Sequence, residues 1–62
     1  MKVEVWCGST MLGTYSDGLG SPYSILKDMN MGDYLIYNNV PYKITMIQYN
    51  FDRKAKVLIV VK

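Results

Sequence analysis

Few side chains in this sequence can do chemistry at neutral pH, and their types set the first limits. Histidine, the commonest acid–base group, is absent. The carboxylates are Glu4, Asp17, Asp28, Asp33 and Asp52, and all but Glu4 fall in stretches that read as loops or element ends. A carboxylate pair suits glycoside hydrolysis only inside a cleft, and 62 residues leave little chain to build one. The lone cysteine, Cys7, alternates in step with Val3 and Val5, which predicts a buried structural thiol instead of a nucleophile. No catalytic role is expected.

Two stretches imitate ligand loops. Asp28-Met29-Asn30-Met31-Gly32-Asp33 has the alternating oxygen donors and glycine of the first half of a calcium loop, but Asn39 stands where the bidentate glutamate belongs. Gly18 and Gly20 precede a helix start as in a phosphate-binding loop, yet no lysine–hydroxyl pair follows. A helix end and a flexible connector explain both. With one cysteine and no histidine there is no zinc set either, so no metal or cofactor is expected.

Two groups suit binding. Phe51, Arg53, Lys54 and Lys56 form the one basic cluster, with an aromatic beside it; such a group can hold phosphates while the ring stacks on a base. Trp6 falls on the polar side of its alternation, with Lys2 and Glu4. There it is either covered by another element or exposed, and exposed tryptophan and tyrosine carry interface energy. Tyr15, Tyr37 and Tyr49 join Trp6 as candidate protein-binding residues.

These groups must be positioned by one small domain, since a chain of 62 residues buries only about 60% of its unfolded surface. Half of the residues are apolar and 13% aromatic, which predicts a dense core and not disorder. The net charge of +2 decides nothing about partners. Met1 to Cys7 alternates where a secretory signal would run apolar, and the apolar run Val57 to Val61 is too short for a bilayer. With a single thiol, a cytoplasmic setting without membrane contact is the expectation.

Period-two alternation marks Lys2 to Cys7 as a strand. Gly8-Ser9 fits a two-residue hairpin loop with glycine first, and Thr10 to Tyr15 returns, with Gly13 marking a bulge. Ser21-Pro22 reads as a helix start, and Pro22, Ile25, Leu26 and Met29 form one apolar stripe. Tyr34 to Tyr37 and Val40 to Tyr49 flank Asn38-Asn39, a type I′ pair, with Tyr42, Ile44 and Met46 sharing a face. Ala55 to Lys62 is apolar on both faces through Val57 to Val61, which predicts a central or covered strand. The expected fold is mainly β: a small five-stranded antiparallel sheet or small barrel with one short helix between strands two and three.

The segment Met31-Gly32-Asp33-Tyr34-Leu35-Ile36-Tyr37-Asn38-Asn39-Val40-Pro41-Tyr42-Lys43-Ile44 resembles the Gly-Asp-strand-turn-strand unit of SH3-like small barrels. The resemblance spans residues 31–44, implies an interaction module and transfers no functional residue.

The expected function is a small non-enzymatic protein-interaction module, a regulator or inhibitor of the kind mobile elements such as phages encode, acting by occupying a partner's surface. A nucleic-acid-binding barrel using the basic loop is the alternative, and a structural assembly subunit the third. A homodimer is also expected, because a chain this short lacks the usual disulfide or metal staple. Leu58 and Val60 are its predicted contacts, on the assumption that Val57, Ile59 and Val61 fill the core.

Overall fold

A computed structural model describes every residue from Met1 to Lys62. The elements run β1 (Lys2–Cys7), β2 (Thr10–Ser16), α1 (Tyr23–Leu26), β3 (Tyr34–Tyr37), β4 (Val40–Asn50) and β5 (Ala55–Val61). They form one curled sheet in the order β2-β1-β5-β4-β3, so the apolar last strand is central, as its two-sided pattern predicts. The expected antiparallel ladders are present, with one exception: β1 and β5 run parallel. A parallel pair needs a long crossover, and here the whole of β2, α1, β3 and β4 supplies it.

The turns follow their residues. Gly8 takes φ +61 between paired Cys7 and Thr10. Asn38 and Asn39 take φ +50 and +64 between paired Tyr37 and Val40, the two positive angles of a type I′ turn. The bulge signalled by Gly13 lies where Val5 pairs with Gly13 but Trp6 with Met11, leaving Leu12 unpaired.

A second bulge has no glycine to announce it. Ile44 pairs with Val60 but Met46 with Ile59, so Thr45 is the extra residue, and its Oγ1 donates to the Ile59 carbonyl at 3.3 Å. An inserted residue shifts the alternation by one. Tyr42 and Ile44 are therefore buried while Met46, expected beside them, is exposed.

The core lies on the concave side, where Val3, Val5, Ile44, Leu58 and Val60 from the three adjacent strands β1, β5 and β4 meet Leu26 of α1. Leu58 and Val60, expected as dimer contacts, are fully buried there. The reason is parity: parallel pairing sets Val5 beside Leu58, so the core face of β1 selects Leu58 and Val60 over Ile59 and Val61. The helix is a single turn; Leu26 is buried, whereas Ile25 of the expected stripe is exposed. It begins one residue past the expected start, and Ser21 Oγ accepts from the Tyr23 N–H at 3.2 Å.

Candidate functional site

The outer face of the sheet carries no helix. Register places Lys2, Glu4 and Trp6 of β1 beside Ala55, Val57 and Ile59 of β5, and Gln48 and Met46 of β4 beside Val57 and Ile59. Because β5 is apolar on both sides, this face keeps an apolar floor between its polar residues. The β4–β5 loop rises at one end of it.

Glu4 sits at the centre of this face yet is only 3% exposed. A buried carboxylate requires donors, and two side chains provide them. The Trp6 Nε1–H donates to Glu4 Oε1 at 3.0 Å, and the Arg53 guanidinium donates to the same oxygen in an ion pair. The indole bond, followed by the charge and hydrogen bond of Arg53 and the charge of Lys2, holds the Glu4 carboxyl below its ordinary value against the opposing effect of burial. Arg53 is set by its loop, where its backbone N–H donates to Asn50 Oδ1 at 3.1 Å and Lys54 turns the chain with φ +53.

Trp6 is consequently half-buried and fixed in orientation. Beside it opens a cleft of about 540 Å³, floored by Val57 and Ile59 and walled by Trp6, Gln48, Phe51 and Arg53. Tyr49 lines its rim and Phe51 is 85% exposed at the loop tip. The charged residues lining it are Asp52 and Arg53, and Arg53 is already paired with Glu4. The cleft thus has an apolar floor, aromatic walls and a polar rim, without excess positive charge.

The predicted site residues divide. Trp6 and Tyr49 come together with Phe51 and Arg53 in this cleft. Tyr15 and Tyr37 do not join them: both pack against the core on the helix side, where they line a smaller apolar pocket of about 110 Å³ with Val5, Leu26 and Leu35. Tyr37 meets Tyr42 edge-on, with ring centroids 6.4 Å apart.

Lys56 leaves the basic cluster altogether. It is buried on the concave side, where its Nζ donates to the Lys27 and Met29 carbonyls at 2.6 and 2.9 Å. These carbonyls end the helical turn and have no ladder partner, so a cation there satisfies them. The expected phosphate contact is therefore a structural ammonium. Of the three cations in this cluster, Lys54 alone has no hydrogen-bond or ion-pair partner for its side chain.

Glu4, Gln48, Val57 and Ile59 were not expected at the site. The two-sided apolar pattern of β5 signalled a second buried surface, but only its parallel register with β1 puts Val57 and Ile59 next to Trp6.

No group of three or more histidine, cysteine or acidic side chains comes together as a metal site, and no helix is long and apolar enough to cross a membrane. No protein-family model, curated protein or solved structure matches the chain.

Proposed function

We propose that this chain is a protein-interaction module that acts by occupying a partner's surface, with the Trp6 cleft as its docking site. The observation that carries this reading is the fixed indole: Trp6 walls a cleft floored by Val57 and Ile59, with its N–H committed to Glu4. An aromatic held in one orientation loses little freedom on binding, and tryptophan in a partly desolvated pocket is the usual centre of a protein interface. Phe51, unsupported at the loop tip, offers a second apolar contact to the same partner.

The nucleic-acid alternative draws on Phe51, Arg53, Lys54 and Lys56, and has less support. Backbone phosphates are held by several free cations, whereas Lys56 is spent on the Lys27 and Met29 carbonyls and Arg53 on Glu4.

The test compares the tagged chain with Trp6→Ala and Ile59→Lys variants as baits in extract of the source cell, after nuclease treatment and across a range of salt. The expected result is a protein retained by the unchanged chain at elevated salt and lost with both variants, each confirmed as folded by circular dichroism. Retention by all three overturns the assignment of the cleft. Binding that disappears on nuclease treatment, or falls steeply with salt, replaces it with the nucleic-acid reading.

A further inference from the structure

The sheet has two free edges, β2 and β3. Edge strands are usually blunted by charge, proline or a bulge. β2 carries its bulge at Leu12. β3, with the sequence Tyr34-Leu35-Ile36-Tyr37, has none of these devices, and Tyr34 and Ile36 are 64% and 74% exposed.

The outward groups of β3 follow from one residue of its neighbour. Ile36 pairs with Pro41, and proline has no N–H, so this is a non-hydrogen-bonded position. Alternation then makes Tyr34–Lys43 non-bonded as well, and Leu35–Tyr42 and Tyr37–Val40 bonded. The N–H and C=O of Tyr34 and Ile36 therefore point away from β4. No backbone hydrogen bond outside the ladders, and no side-chain bond, involves residues 34–37.

We infer that β3 is the docking edge for a second copy of this chain, pairing antiparallel with the β3 of that copy about a two-fold axis through Leu35. Three features select a second copy. The unpaired residues are two apart, so this axis sets Tyr34 of each chain against Ile36 of the other and uses every outward N–H and C=O. The axis also keeps both cores on the same side of a continuous ten-stranded sheet, because two sheets of five join edge to edge. And the strand bears no charge on either face, so like meets like without repulsion. Pairing covers the exposed Tyr34 and Ile36 against one another on the outer face and Leu35 against its copy on the inner one. The Trp6 cleft is lined by β1, β5 and the Gln48–Asn50 part of β4, beyond the Val40–Lys43 stretch that pairs with β3, and stays open in such a dimer.

Sedimentation of the full chain from micromolar to millimolar concentration tests this, with four variants. Ile36→Pro removes an N–H that makes no internal bond, so the monomer keeps its fold while the dimer loses both hydrogen bonds from that position; dissociation should be at least about tenfold easier. Tyr34→Glu and Ile36→Lys should each weaken the dimer, because each sets a charge against an apolar side chain. The double variant carrying both should restore it in a salt-sensitive form, because the register places position 34 opposite position 36. A single species of monomer mass at every concentration overturns the inference. So does a dimer indifferent to Ile36→Pro, or a double variant no tighter than either single one.

Discussion

Glu4 and Trp6 lie two residues apart on one face of β1, and the indole of the second donates to the carboxylate of the first at 3.0 Å. Successive odd or even residues of a strand share a face, so a polar–aromatic pair at this spacing can close on itself. Arg53, forty-nine residues away, completes the shell from the β4–β5 loop. One carboxylate thus anchors both the aromatic wall and the basic wall of the cleft.

The same contact sets a pH dependence. In the unfolded chain Glu4 titrates at its ordinary value near 4.5, and in the folded protein below it. Between the two values the unfolded state binds more protons, so stability there rises with pH. The contribution is complete above the ordinary value and is lost as pH falls through the lowered one. Thermal melts from neutral to strongly acidic pH should show a fall below the ordinary carboxylate range that is shallower in Glu4→Gln. An unchanged acid limb in that variant would mean that Glu4 gains nothing from Trp6 and Arg53.

Lys56 and Lys54 should behave oppositely although they are near neighbours in the sequence. Lys56→Met removes two bonds to carbonyls at the end of α1, and unsatisfied groups of this kind cost about 1–3 kcal/mol. Lys54 is exposed, and Lys54→Asn, which keeps a residue tolerant of its positive φ, should change stability by less than about 0.5 kcal/mol. Denaturant unfolding of the two variants decides it; equal costs would put Lys56 back on the surface.

Gly13→Ala tests the packing of the first bulge. A Cβ at Gly13 would lie 2.7 Å from Cζ and 2.9 Å from Cε2 of Tyr15, so the ring must leave its place against the core. Overpacking of this kind costs about 1–3 kcal/mol. Combining Gly13→Ala with Tyr15→Ala should recover part of that loss, since no ring remains to be displaced; additive losses would show that the strain lies in the backbone instead.

The elements were legible because their signals are local. Alternation in Lys2 to Cys7, the asparagine pair and the two-sided β5 each depend on residues within one strand or turn. What was hidden depends on partners distant in sequence. Nothing near Glu4 announces Arg53, and nothing near Lys56 announces the carbonyls of Lys27 and Met29. The Thr45 bulge lacks glycine, so Met46 kept its place in a regular alternation that the chain does not follow. Leu58 and Val60 were misplaced for a related reason: a strand apolar on both faces does not say which face is the core, and only the pairing of Leu58 with Val5 and of Val60 with Ile44 decides.

That choice of face gives the last prediction. Leu58 and Val60 have no exposed surface, while Ile59 is half-buried on the outer face and Val61 is exposed. Truncating a buried Leu leaves a cavity in addition to losing its transfer energy, for about 2–5 kcal/mol. At Ile59 the removed atoms were already partly in water and the cleft has no roof, so the cavity contribution is absent. Unfolding by denaturant should therefore rank Leu58→Ala as the more damaging change, by at least about 1 kcal/mol over Ile59→Ala. If Leu58→Ala leaves no folded protein, Val60→Ala against Val61→Ala reads the same contrast with a smaller cavity. Partner binding should move the other way, lost with Ile59→Ala at nearly full stability and retained by any folded Val60→Ala protein. If the Ile59 and Val61 changes cost as much as those at Leu58 and Val60, the core would lie on the face that carries Trp6, and the cleft could not be a docking surface.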